Sequence, residues 1–435
     1  MKKTLIASSV LLAASVLYGP LASADISGKS GAGVRFHGGD EIILQGFHWN
    51  VVRTAENNWY NILKDNAQMI ASDGFTSIWM PPPWRDQSSW NASSSTQFGG
   101  EGYFWTDFNK NSRYGSDWQL KQAASTLKSK GVKVIYDMVP NHHNRGHQGD
   151  AMDFANGQGK YRTDCGSCDD GDPFMSGDSD FNTANPDIYN LFKNEMSNLK
   201  NNYSAGGFRF DFVRGYDPAR INAWMNDTHN SGYCVGELWK GPSEYPSWDW
   251  RHTASWQDIT KDFSDQSNCS VFDFALKERM QNSSVRSWQY GLNGNPSVQW
   301  REVAVTFVDN HDTGYSPGPL GGQHHWPLDD SKRKKAYAYI LMSPGTPTVY
   351  WPHMYDWGLR NYIKNLITIR KQADIRAWSG VSFKNNFSGL TGVTSGVSKK
   401  VVFAIDSNLS NPNQVTSGSF SLVVNEGGVR VWKQN

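Results

Sequence analysis

Three carboxylates stand where the sequence can use them for chemistry. Asp211 closes the run Gly207-Phe-Arg-Phe-Asp211, Glu237 closes Val235-Gly-Glu237, and Asp312 ends Phe307-Val-Asp-Asn-His-Asp312. Each follows a short apolar, β-prone run, so each is expected at the C-terminal end of a strand. Paired carboxyl groups suit cleavage of a glycosidic bond: one protonates the leaving oxygen and the other meets the oxocarbenium-like carbon. In retaining enzymes the two sit about 5 Å apart and the second forms a covalent glycosyl-enzyme. A lone Asp after a strand is more often a helix cap or an ion-pair partner. Three of them in register at strand ends are harder to assign that way.

The elements that must hold them there repeat as strand then helix. Strands are expected over Glu41–His48, Ser77–Met80, Val132–Val139, Gly207–Phe212, Cys234–Leu238, Val271–Phe274, Glu302–Val308 and Thr348–Tyr350. Helices are expected over Trp59–Ser72, Leu120–Lys130, Pro186–Leu199, Pro218–Asn230, Leu276–Gln281, Lys332–Leu341 and Tyr362–Lys371. About eight such units predict an α/β fold, a (β/α)8 TIM barrel, whose catalytic groups gather at the strands' C-terminal ends. An open doubly wound sheet is the alternative from pattern alone, but no G-x-G-x-x-G follows the first strand, so a dinucleotide fold has no support. Residues 141–185 are too long and polar for an ordinary loop and read as an insertion after strand 3. Beyond Ala377 the runs Phe383–Gly392, Lys400–Ile405, Gly418–Val424 and Val429–Trp432 alternate as strands, predicting a C-terminal antiparallel β-domain. The expected organisation is a signal peptide at 1–24, a catalytic barrel at 25–377 and a β-domain at 378–435. No internal repeat and no linker to a further module is legible.

Met1-Lys2-Lys3, the apolar stretch Leu5–Leu21 and Ala22-Ser23-Ala24 form a secretory signal pattern, so the mature chain is expected to begin at Asp25 and to be secreted, to the medium or the periplasm. That stretch is short for a span and broken by Ser8, Ser9, Ser15 and Gly19-Pro20, and no later segment has the apolar length of a transmembrane helix. No membrane association is expected after signal removal. Net charge is +1, with no basic run suited to a phosphate backbone, which argues against nucleic acid as a partner. The 19 Trp, 18 Tyr and 21 Phe exceed what a core needs, and flat aromatic faces pack well against sugar rings. Four cysteines allow three disulfide pairings. Cys165-Gly-Ser-Cys168 also has the spacing of zinc or redox sites, but Cys234 and Cys269 lack the close spacing of a second zinc pair, so Cys165–Cys168 with Cys234–Cys269 is favoured.

Asp137-Met-Val-Pro-Asn-His142, Gly207-Phe-Arg-Phe-Asp211, Gly236-Glu237 and Phe307-Val-Asp-Asn-His-Asp312 resemble the four ordered signature regions of the α-amylase family of glycoside hydrolases. The likeness covers essentially the whole chain after the signal. It extends to bacterial maltotetraose-forming members through Ile43-Leu-Gln-Gly-Phe-His-Trp49, the stretch 236–250 and Gly321-Gly-Gln-His-His-Trp326. The resemblance implies Asp211 as nucleophile, Glu237 as general acid/base and Asp312 as the residue that binds and distorts the sugar. Arg209, on the same strand face as Asp211, would orient it and favour its anion. His142, His311 and Gln323 would contact sugar hydroxyls, and Trp49, Trp90 and Tyr103 would be aromatic platforms.

The same resemblance, with the oxygen-rich insertion, implies Ca2+ held by Asn141, Asp169, Asp172 and Asp180 and by the carbonyl of Gly215. A second Ca2+ would use Asp25, Ile26, His37, Asp40 and Glu41, with Ile26 and His37 serving through backbone oxygen. The expected substrate is starch or maltooligosaccharide, and the expected state a monomer. The leading reading is a retaining α-1,4-glucan hydrolase of α-amylase type; the alternative is an exo-acting maltotetraose-forming enzyme. Residues 149–168 look shorter than in maltotetraose-forming relatives, which weighs against the alternative, and the absence of a starch-binding module after the β-domain predicts weaker binding to raw starch. A transglycosylase and a non-catalytic glucan-binding barrel rank lower, the latter because all three carboxylates are present.

Overall fold

The computed structural model describes residues 39–435 apart from 88–89, 92–96, 147–151, 153, 155–156, 167, 169–170, 230–231, 295–297 and 319–320. The signal pattern at 1–24 and Asp25, Ile26, His37 and Asp169 therefore lie outside the described residues, as does the side chain of Trp90.

Eight parallel strands close into a barrel: β1 Ile43–Gln45, β2 Ser77–Met80, β3 Lys133–Met138, β4 Ala205–Phe210, β5 Tyr233–Gly236, β6 Ser270–Phe272, β7 Ala304–Phe307 and β8 Thr346–Tyr350. Each pairs with its sequence neighbours, and β8 closes on β1, as a (β/α)8 barrel requires. The strands are almost wholly buried because helices cover the outside, which is why they read as apolar runs rather than alternating ones. Several helices start at side-chain caps. Ser116 forms a capping box with Gln119 at the start of Asp117–Ser129, and Asn185 and Asp217 cap the helices Pro186–Asn202 and Pro218–Thr228, each with Pro in its first turn.

Three details differ from the sequence expectation. The run Trp59–Ser72 is two helices, Trp59–Asp65 and Ala67–Ser72, meeting at Asn66, whose φ of −93° and ψ of 2° depart from the helix while its side-chain amide joins its own N–H on the Ile62 carbonyl. The helix Trp256–Ser267, between β5 and β6, was not expected at all. The segment Phe383–Gly392 is not one strand. β9 Gly380–Phe383 ends, the chain reverses through Gly389 at a φ of 58°, and β10 Leu390–Ser395 returns beside it.

β11 Lys400–Ile405, β12 Phe420–Glu426 and β13 Val429–Gln434 complete a five-stranded antiparallel sheet in the order β9-β10-β11-β13-β12. Thr394 of β10 donates to the Met342 carbonyl at 2.6 Å, tying this sheet to the end of the barrel helix Asp330–Met342. Both disulfides join the favoured pairs: Cys234 in β5 to Cys269 just before β6, and Cys165 to Cys168 inside the insertion. No helix among the described residues is long and apolar enough to cross a membrane.

Candidate active site

Strand register brings the carboxylates together. β3 and β4 pair with Asp137 opposite Arg209, and β4 and β5 pair with Phe210 opposite Gly236. Asp211 and Glu237 are the next residue on each strand, and both continue the ladder: Asp211 N–H donates to Met138 O at 2.8 Å, Glu237 N–H to Phe210 O at 3.0 Å. Phe212 then takes a left-handed conformation, φ 45°, which turns the chain sharply and leaves Asp211 at the barrel mouth.

One fully buried guanidinium organises the site. Arg209 Nη1 donates to Asp137 Oδ1 at 2.8 Å and to Asp211 Oδ1 at 2.6 Å, while Nη2 lies 2.6 Å from Glu237 Oε2. Asp137 is in turn fixed by the Tyr103 hydroxyl at 2.7 Å and the Trp79 indole N–H at 3.1 Å. Burial holds the Glu237 carboxyl well above the ordinary carboxylate range despite Arg209, and Asp211 and Asp312 add to the rise. Its second oxygen, Oε1, is buried and has no hydrogen-bond partner. With Oε2 facing a cation, Oε1 is the oxygen left open to a proton and to the cleft. Burial also pushes Asp312 up to about 7, with Arg209 opposing.

Asp312 is presented by a loop that ties itself. The Asn310 side-chain oxygen accepts from the N–H groups of Asp312 and Thr313. Asp309 accepts from buried Lys277 at 2.5 Å and from the N–H of Leu328. Lys277→Met should cost about 3–5 kcal/mol, because Asp309 would remain as an uncompensated buried charge. Urea unfolding followed by tryptophan fluorescence reads this directly, and an unchanged midpoint would show that the neighbouring donors suffice for Asp309.

Two histidines flank the carboxylates as neutral rings. Burial lowers His142 to about 4 and holds His311 well below its ordinary value, Arg209 adding to the latter. The Gln45 amide donates to His311 Nδ1 at 2.9 Å, leaving the proton on Nε2, which faces Asp312 Oδ2 at 3.3 Å. His142 stacks on Phe174 at 3.8 Å between ring centres.

These groups open into a cleft of about 710 Å3. Of the residues singled out from the sequence, Trp49, Tyr103, His142, Asp211, Glu237, His311, Asp312 and Gln323 line it, and Arg209 lies beneath. Tyr103 stacks on Trp49 and His311 at 5.6 and 5.1 Å, so its face is shared with the protein and its hydroxyl is committed to Asp137. The sequence reading missed Phe104, Phe174, Met175, Phe212, Arg214, Trp239, Glu244 and His325 in the lining. It also missed the part Asp137 plays, although that residue opens a motif already quoted.

The expected calcium ligands are gathered only in part. Asn141 Oδ1 and Asp180 Oδ1 are both buried without a hydrogen-bond partner, and a Cβ on Gly215 would sit 2.2 Å from that Asn141 oxygen. Asp172 instead pairs with Arg214 at 2.7 Å and Lys240 at 2.6 Å. Of the second set, Asp40 faces Arg376 at 3.3 Å and buried Glu41 pairs with Lys133. Among the described residues no three His, Cys, Asp or Glu side chains converge as a metal cluster.

Paired carboxyl groups around one arginine at the mouth of a barrel suit a glycoside hydrolase, and the relatives place the chain in that class. The chain belongs to the α-amylase family, and its residues 63–162 match the family described as the α-amylase catalytic domain. Residues 355–418 match domain C of glucan 1,4-α-maltotetraohydrolase. The chain is 62% identical over 434 residues to the glucan 1,4-α-maltotetraohydrolase of Roseateles saccharophilus, spanning 98% of this chain and 78% of that one. It is 61% identical over 435 residues to the enzyme of the same name from Stutzerimonas stutzeri, spanning 98% and 79%. The fold matches the crystal structure of an α-amylase from Geobacillus thermoleovorans complexed with acarbose, with a TM-score of 0.65 over 91% of this chain and 98% of that one at 16% identity.

Proposed function

We propose that the protein hydrolyses α-1,4-glucosidic bonds of starch and maltooligosaccharides with retention of configuration. The observation that carries this reading is the shared guanidinium: Arg209 touches Asp211 and Glu237 at once, so the two carboxyl groups the reaction needs share one wall of the cleft. Glu237 gives its Oε1 proton to the glycosidic oxygen as that bond to C1 breaks, and Asp211 attacks C1 to form a glycosyl-enzyme. Glu237, now a carboxylate, takes a proton from water as the water attacks C1 and releases Asp211. Asp312 and His311 hold the sugar hydroxyls at the cleavage point, with His142 and Gln323 as further contacts and Trp49 and Tyr103 as apolar walls.

Release of maltotetraose is favoured over an undirected endo pattern, because relatives named for that product match nearly the whole chain. The experiment is an early product ladder from soluble starch with the anomeric form recorded by NMR. Maltotetraose in the α form is expected to dominate from the first minutes. A broad ladder would leave α-amylase action but remove the product assignment, and β products would overturn the mechanism.

The buried, unpartnered oxygens of Asn141 and Asp180 beside Gly215 fit a hard divalent cation, and Ca2+ there would be held by Asn141, Asp180, the Gly215 carbonyl and Asp169, with Asp172 joining only by turning from Arg214 and Lys240. Bound Ca2+ would supply charge compensation where insertion meets barrel, with no part in bond cleavage. Exhaustive chelation should therefore lower the melting temperature by several degrees, and added Ca2+ should restore it. A melting curve indifferent to both would remove calcium from this site. A second ion by Asp40 and Glu41 rests on fewer oxygens, since Asp40 faces Arg376 and Glu41 faces Lys133, leaving Glu41 Oε2 buried without a partner. Two disulfides and the N-terminal pattern support export.

A further inference from the structure

Outside the cleft, the loops after β4 and β5 enclose a second concavity of about 590 Å3. Arg214 lines both cavities, so one side chain forms part of the wall between them. Two indoles line this groove in unusually open positions: Trp248 is 84% exposed and Trp250 55%. Exposed tryptophan faces are a cost in water unless something covers them.

The charges in the groove identify what that would be. Each of its cations already has a carboxylate. Arg214 pairs with Asp172 and Glu244 at 2.7 and 2.8 Å, and Lys240 with Asp172 at 2.6 Å. Arg251 grips Asp249 through Nε at 2.9 Å and Nη2 at 2.7 Å, with Asp262 3.9 Å away. A phosphate or an acidic peptide would find little uncompensated positive charge. Flat apolar faces beside fixed, mutually neutralised polar groups suit a neutral polyhydroxylated ligand, whose ring C–H faces stack and whose hydroxyls bond at the edges.

We propose that this groove is a second α-1,4-glucan-binding site, with Trp248 and Trp250 as stacking faces and the Asp249–Arg251 pair as hydroxyl partner. The proposal rests on the α-glucan reading of the cleft, because a polymer long enough to fill the cleft offers neighbouring segments of the same chemistry next door. Its consequence is selective: long glucans gain a second hold on the enzyme, and oligosaccharides that only fill the cleft do not.

The test uses the full chain. Affinity electrophoresis in gels containing amylopectin compares Glu237→Gln, which leaves the gel undigested, with the same protein carrying Trp248→Ala and Trp250→Ala. The double tryptophan change should weaken retardation by about tenfold. In the active enzyme the same two changes should leave kcat/KM on maltohexaose within about twofold and the melting temperature unchanged, since neither side chain is in the core. Trp248→Phe with Trp250→Phe should retain most of the retardation. Unchanged retardation in the alanine pair would overturn the proposal, as would an equal loss on maltohexaose, which would make the groove part of the cleft. If the wild-type enzyme does not cleave soluble starch and Glu237→Gln is not retarded by amylopectin, the α-glucan reading itself fails, a result distinct from failure of the groove alone.

Discussion

Glu237→Gln should reduce kcat on soluble starch by about three orders of magnitude or more while leaving KM and the melting temperature close to wild type. The side chain is buried, its Oε2 faces Arg209 and its Oε1 has no protein partner, so an amide of the same shape fits without a new cavity. What is lost is the proton. Because burial raises the Glu237 carboxyl, its acid form persists above the ordinary carboxylate range, and kcat/KM of the wild type should fall as pH rises through that raised value. The residual activity of the glutamine variant should lack this alkaline limb. In kcat/KM, which reports formation of the glycosyl-enzyme, the deficit should also shrink on an α-maltosyl fluoride, whose leaving group needs no protonation. A variant that hydrolyses starch at a near-normal rate, or whose kcat/KM falls equally on starch and on the fluoride, would place the acid elsewhere.

The sequence exposed the parts of this site that are set by strand ends and hid those set by packing between distant segments. Asp211, Glu237 and Asp312 could be read because each ends an apolar run, and β4–β5 register then places the first two side by side. The helix Trp256–Ser267 was legible and went unread: Trp256, Ile259, Thr260 and Phe263 recur at i, i+3, i+4 and i+7 behind the capping Ser255, an apolar stripe set among Asp, Gln, Ser and Lys. Strand boundaries drifted for a different reason: β4 begins at Ala205-Gly206, residues of low strand propensity that the barrel ladder recruits through β3. The fate of Asp172 was equally hidden. Its spacing within the acidic loop suggested only an oxygen ligand, whereas Arg214 and Lys240, from the loops after β4 and β5, reach it in the folded chain. Nor did anything in the spacing say that Asp137 would hold the far side of Arg209, since that contact spans 72 residues.

That contact leads to the second large effect, Arg209→Lys. A guanidinium presents donors in a fixed planar fork, and here one fork reaches Asp137, Asp211 and Glu237 together. An ammonium keeps the positive charge but, as a single point at the end of a flexible stem, cannot satisfy three carboxylates from three adjacent strands. The lysine variant should fold, and its kcat on starch should fall by about 10²-fold or more, because the nucleophile is no longer held in line with the acid. Arg209→Met removes the charge as well, leaves buried carboxylates facing one another without compensation, and should lose about 3–5 kcal/mol of stability in addition to activity. The pair of variants separates two roles the structure gives to one side chain. If charge alone mattered, lysine would restore both stability and rate; if the fork matters, lysine should restore much of the stability and little of the rate. A lysine variant with wild-type kcat on starch would show that Asp211 and Glu237 are positioned by the strand ladder itself, through the Asp211 and Glu237 backbone N–H groups, and that Arg209 only neutralises them.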